Sequence, residues 1–160
     1  MTARRIARRL RCRRGQSLVE SALSLGIIIA VLIGILELTL ALYCYNYVAY
    51  AAREATRWAM VRGSTCTGLS SCNATADQIQ TYVQNLNYPI VQPSQLAVTT
   101  TWLSRATLTP ASWTTCSAAP CNLPGNEVQV EVAYPFTMEI PIVGQIGLNL
   151  HSTSSMVISQ

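Results

Sequence analysis

Lysine is absent from this chain, so all 11 basic residues are arginines. Histidine occurs once, as His151, with no nucleophile motif to serve and no second histidine to share a metal. Neither Cys66 with Cys72 nor Cys116 with Cys121 has the CxxC spacing common in zinc and thioredoxin-like sites. There is no glycine-rich phosphate loop; Gly144 and Gly147 sit in a turn context. These gaps argue against a catalytic centre, a metal and a cofactor. A membrane-tethered enzyme would have to hide its site in residues 64–125, where no residue nominates itself.

What is present is one long apolar stretch. From Ser21 to Leu42 the chain is broken only by serine, glycine, threonine and one acid, Glu37. That exceeds the roughly 20 residues a helix needs to cross a bilayer. Seven arginines lie in the first 14 residues, Arg4, Arg5, Arg8, Arg9, Arg11, Arg13 and Arg14, while beyond Gly15 four arginines face seven acids. A basic tail can bind nucleic acid. Beside an apolar span it more often fixes orientation, because arginine-rich flanks stay cytoplasmic. We therefore expect no nucleic-acid partner, a cytoplasmic N-terminus and an extracytoplasmic remainder. The apolar core is too long for an ordinary cleaved secretory signal.

The helix is expected to continue past the membrane. Tyr43 to Arg62 has neither proline nor glycine. Ala51, Ala52, Ala55 and Ala59 favour helix, and Val48, Ala52, Ala55 and Ala59 form a narrow apolar stripe with Tyr47 and Trp58 near it. Glu54 and Arg57, three apart, can pair on the surface. Gly63 is a natural stop. A helix from Gln16 to Arg62 would be about 70 Å long. Tyr43, Tyr45, Tyr47 and Tyr50 cluster at the exit, as interfacial aromatics do. Gly26, Ala30 and Gly34 make two small-xxx-small steps that let another helix approach. Cys44 reads as a buried apolar residue rather than an intermolecular disulfide, and Cys12 as a reduced cytoplasmic thiol.

The remaining four cysteines suit an oxidising compartment. They allow three pairings, and sequence alone does not choose. Cys66–Cys72 and Cys116–Cys121 are favoured, since each closes a short polar loop. Asn73-Ala74-Thr75 matches a glycosylation sequon by chance. Thr75 with Gln78 forms a capping box for a helix over Ala76–Leu86, whose Ile79, Tyr82, Val83 and Leu86 share one face. A strand is expected over Leu96–Leu103, a long loop over 106–126, and a clean alternating strand over Glu127–Tyr134, with Val128, Val130 and Val132 on one side. Pro135 and Pro141 bracket a turn region, and Ile146–Ile158 forms a last strand, bulged near His151. Trp102, Trp113, Tyr134 and Phe136 read as core. The fold class is α+β: a long N-terminal transmembrane helix, then a small domain of one short helix and about three antiparallel strands. Its partner layer would be the short helix and the outer half of the long one.

Arg-Arg-Gly15 followed by Gln16-Ser-Leu-Val-Glu20-Ser-Ala resembles the processing site of type IV-like prepilins. With Glu37 near the outer end of the apolar helix and Tyr50-Ala-Ala-Arg-Glu-Ala-Thr-Arg-Trp-Ala after it, the segment resembles the TadE-like pseudopilins of tight-adherence (Flp-type) pilus systems. Glu127–Phe136 and Ile146–Ser159 resemble that family's closing strands. The resemblance implies a minor pilin in a bacterial inner membrane, cleaved between Gly15 and Gln16 by a prepilin peptidase. It implies as partners the peptidase, the membrane and other pilin subunits. Residues 1–15 would be a leader, 16–44 the transmembrane helix, 45–63 its extension and 64–160 the disulfide-containing domain. Cleavage would put Glu20 at the fifth position of the mature chain. There it would meet a neighbouring subunit's N-terminal ammonium, an ion pair suited to setting register; the alternative is a solvated carboxylate at headgroup level. Glu37 lies 17 residues on, about 25 Å along the helix, where it either snorkels outward or touches another membrane helix. The rival to a pilin is an uncleaved, membrane-anchored binding or adhesion domain.

Overall fold

The computed structural model describes residues 2–105, 112–141 and 143–160, with side chains from Gly15 onward. The arginine cluster and Cys12 therefore lie outside the described side chains. Helix α1 spans Thr2–Met60 and α2 spans Ala76–Asn85, followed by a 3-10 turn at Pro93–Gln95. The strands are β1 (Ala97–Arg105), β2 (Trp113–Thr115), β3 (Glu127–Ile140) and β4 (Gly144–Val157), in sheet order β2-β1-β3-β4. The chain divides into two compact units, Met1–Leu40 with Met138–Ile146, and Ala41–Thr137 with Gly147–Gln160.

In the first unit the stretch of α1 from Ser21 to Leu36 carries no charged residue on any side. Leu18, Leu23, Ile27, Val31 and Leu36 are all more than half exposed, which suits a helix whose surroundings are themselves apolar. Three of its hydroxyls are satisfied within the helix: Ser21 Oγ, Ser24 Oγ and Thr39 Oγ1 donate to the carbonyls of Ser17, Glu20 and Ile35 at 2.8–2.9 Å. In hydrocarbon an unbonded hydroxyl would be costly.

In the second unit the same helix changes character. Ala41, Cys44, Tyr47, Val48, Ala51, Ala52, Ala55 and Ala59 are buried and spaced by threes and fours along one face. Alanine here keeps that face flat, so the unit can close against it. The fully buried Thr56 donates to Ala52 O at 2.7 Å and reaches Ser154 O of β4 at 3.3 Å. On β3, Val128, Val130 and Val132 are fully buried, with Tyr134 and Phe136 continuing the alternation. Burying each of these valines contributes about 1.5–3 kcal/mol.

Helix α2 begins as its sequence dictates. Thr75 Oγ1 accepts from Gln78 N, and Gln78 Oε1 accepts from Thr75 N at 3.1 Å. Ile79 and Val83 are fully buried, whereas Tyr82 and Leu86 are half-buried. Thr75→Ala is expected to lower stability by about 1 kcal/mol, measured by denaturant unfolding of the full chain in detergent.

Four expectations need correction. The loop expected over 106–126 contains β2, which pairs with β1 from Leu103↔Thr115 to Arg105↔Trp113. Its three residues are all exposed, so hydrophobic patterning could not reveal it. Pro135 is not a turn residue but lies inside β3. The β1–β3 register ends at Ala97↔Ala133, leaving Pro135 beyond the paired stretch, where a missing N–H costs that ladder nothing. The slip expected near His151 is not seen in the burial of β4, where residues 150–157 alternate half-buried and exposed without a break. Finally, Trp113 is 42% exposed and Trp102 half-buried, so neither tryptophan is core.

Candidate functional site

Among the described residues α1 is the one helix long and apolar enough to cross a membrane, over Gly15–Met60. The functional candidates are distributed along it rather than gathered in a pocket. Gly15 and Gln16 are helical and exposed, with no atom within 4 Å of the position a Gly15 Cβ would take. The Glu20 side chain is also exposed, while its backbone carbonyl receives Ser24 Oγ. Glu37 is half-buried, on the same face as Ile33 and Leu40. The structure thus keeps Glu20 and Glu37 apart as separate stations.

Gly26 and Gly34 have open space where a Cβ would be. Ala30 and Gly34 are nonetheless half-buried, while Gly26 is exposed. Gly26→Ala is expected to leave the chain's own unfolding within about 0.5 kcal/mol of wild type. The check is circular dichroism of the detergent-solubilised protein.

Where the helix leaves its uniformly apolar stretch, three of the four tyrosines, Tyr43, Tyr45 and Tyr50, are exposed as a girdle requires. Tyr47 instead is buried and packs on Tyr88, with ring centroids 4.5 Å apart. Further on, Trp58 stacks on Tyr82 at 5.1 Å and carries the Arg62 guanidinium 4.3 Å above its ring. Tyr82 donates to Glu54 Oε1 at 3.3 Å. Burial, then the Glu54 carboxylate, push the Tyr82 phenol above its ordinary range, so it remains a donor at neutral pH. The Glu54 carboxylate is thus engaged with Tyr82, a use that the Glu54–Arg57 spacing did not suggest.

The cysteines pair as favoured. Cys66–Cys72 and Cys116–Cys121 have Cα separations of 5.4 and 5.7 Å, and Cys44 is a buried thiol. Asn73 of the sequon accepts from Asn122 Nδ2 at 2.6 Å, which ties the first disulfide loop to the segment after the second. Opening either ring by a Cys→Ser pair is expected to cost about 2 kcal/mol by the loop-entropy argument, read as a lower denaturation midpoint.

Two open clefts flank α2. One, of about 330 Å³, is lined by Trp58, Asp77, Tyr82 and Asn85 among others. The other, of about 420 Å³, is lined by Asn73, Thr75, Asp77, Trp102 and Asn122 among others. Asp77 is the one carboxylate in either lining. Among the described residues no group of three or more His, Cys, Asp or Glu could hold a metal ion. His151 is exposed on β4.

No curated protein and no solved structure matched the chain. A family model did: residues 15–57 match TadE-like protein, beginning at the glycine of the Arg-Arg-Gly motif and running through the helix face that supports the second unit. The strands resembling that family's C-terminus lie outside the matched residues. Over this helical segment, 43 of its 160 residues, the chain is similar to TadE-like proteins, a family associated with the tight-adherence pilus.

Proposed function

We propose that this protein is a TadE-like minor pilin. It is inserted with its arginine-rich N-terminus in the cytoplasm and trimmed between Gly15 and Gln16 by a prepilin peptidase. It is then drawn with other pilin subunits into a tight-adherence pilus or the complex that initiates one. The observation that carries this reading is the family match beginning at Gly15, the glycine at which the motif predicts cleavage.

Physical support comes from three places. An exposed glycine lets a protease approach the backbone closely. The helix beyond it is apolar, and its side chains from Gln16 to Ile29 are all exposed, which suits lipid before assembly and neighbouring helices after it. Glu20, four residues from Gln16, is within reach of a neighbour's new ammonium and sets axial register by pairing with it. Glu37 supplies a second polar contact at the outer end of the span. The disulfides fit an outer domain in an oxidising compartment.

The uncleaved anchored adhesion domain is the competing reading. Shearing separates the two. In cells carrying the peptidase and the pilus machinery, a C-terminally tagged chain is expected in the sheared filament fraction. Without the peptidase it stays in the inner membrane. Retention in the membrane under both conditions favours the permanent anchor.

A further inference from the structure

The β3–β4 turn carries an apolar tip that the pilin reading does not use. Residues 140–148 contain no charged side chain. Val143 is 69% exposed and Ile146 39%. The nearest acid, Glu139, has its carboxylate bonded by Gln145 Nε2 at 2.8 Å across the hairpin. Gly144, at φ +99°, makes the turn.

The position of this tip along α1 suggests what covers it. Met138–Ile146 forms one compact unit with the helix up to Leu40. From Gly15 to Ile29 every α1 side chain is exposed. Farther along, Ile33, Glu37 and Leu40, at spacings of four and three, become half-buried while Leu32, Ile35 and Leu36 around them stay exposed. Ala30 and Gly34 are half-buried with them, and this partly shielded stretch lies in the segment of α1 that shares a unit with the hairpin tip. A hydrocarbon layer entered at Leu18 takes up roughly 20 helical residues and so ends near Leu38. The tip therefore lies at the outer end of the span, where the helix's other faces meet lipid.

We propose that the β3–β4 tip, through Val143 and Ile146, dips into the outer leaflet beside α1. It is a second, shallow membrane contact of this chain. The inference rests on α1 being a membrane anchor. Depth is limited by the turn's backbone: N–H and C=O groups that the hairpin leaves open cannot enter hydrocarbon without partners. The tip stops at the boundary of headgroups and acyl chains, where apolar side chains gain from burial and Glu139 with Gln145 stays wet.

Bromolipid quenching tests this on the full chain reconstituted in phosphatidylcholine–phosphatidylglycerol vesicles. Wild-type emission from Trp58, Trp102 and Trp113 is the background. Three variants are compared with it: Val143→Trp at the tip, Leu32→Trp within the span, and Thr153→Trp on the exposed side of β4. The added Val143→Trp emission should fall at least about twofold with lipid brominated near the headgroup end of the chain, and less with deep bromines, as for an interfacial group. Leu32→Trp should be quenched by deep bromines and Thr153→Trp only by aqueous iodide. Iodide quenching of Val143→Trp equal to that of Thr153→Trp, with Leu32→Trp still quenched by lipid, overturns the tip contact and leaves the anchor standing. Protection of Val143→Trp from both iodide and bromolipid also overturns it, since a protein neighbour then covers the tip. Loss of lipid quenching at Leu32→Trp overturns the anchor itself, and the tip contact with it.

Discussion

Gly63→Ala is expected to lower the stability of the C-terminal unit by about 3 kcal/mol, the upper part of the range for overpacking a filled site. A Cβ at Gly63 would overlap Gln160 O, stand 2.5 Å from Ile158 Cγ2 and stand 2.7 Å from Asn122 O. Two of these neighbours are held where they are. Asn122 O accepts from Ser64 N at 2.9 Å, and Ile158 is hydrogen-bonded through both its N–H and its carbonyl, to Asn126 and Gly125. Ser159 N also bonds Met60 O at 3.0 Å. The end of α1, the segment before β3 and the C-terminal residues thus meet at one glycine. Gly147→Ala is the control, because open space surrounds the position of its Cβ. Near-ultraviolet circular dichroism under denaturant, which reads the Trp58–Tyr82 stack, should show a large shift in midpoint for Gly63→Ala and little for Gly147→Ala. Equal midpoints would mean that the junction yields at no cost.

Glu20→Ala is expected to insert in the membrane normally and to disappear from filaments. If Glu20 pairs with a neighbour's ammonium in an apolar setting, removing it leaves that ammonium uncompensated, at about 3 kcal/mol or more. Such a loss is about a hundredfold in subunit affinity. Glu20→Asp, which keeps the charge on a shorter stem, should recover part of the incorporation. The measurement is the ratio of sheared filament to membrane-bound protein at matched expression. Normal incorporation of Glu20→Ala would remove the register role and leave Glu20 a solvated headgroup-level acid.

Much of the fold was legible because its signals are local. The alternation of Val128, Val130 and Val132 needs only a two-residue period, the Thr75–Gln78 box only three residues, and each disulfide a short loop. The helix face of Cys44, Val48, Ala52 and Ala55 follows from a 3.6-residue period. Features set by distant partners were not legible. Strand β2 exists through its pairing with β1, and its own residues are all exposed. Pro135 reads as a breaker until the register of β1 shows where pairing ends. Gly63 reads only as a helix stop, whereas the structure shows it crowded by chain nearly a hundred residues away. At the candidate site, the order of Gly15, Gln16, Glu20 and Glu37 along one helix follows from the sequence. The Tyr82–Glu54 contact was not, because it joins two helices separated by 28 positions.

Processing at Gly15 is the central claim, and the N-terminal peptide of the purified protein tests it most directly. The protein is made with and without a prepilin peptidase, and intact mass and the first peptide are read by mass spectrometry. The account predicts a chain beginning at Gln16, free or cyclised, only when the peptidase is present. A chain that keeps its arginine-rich leader under both conditions would contradict it, and would leave a permanently anchored domain as the better description.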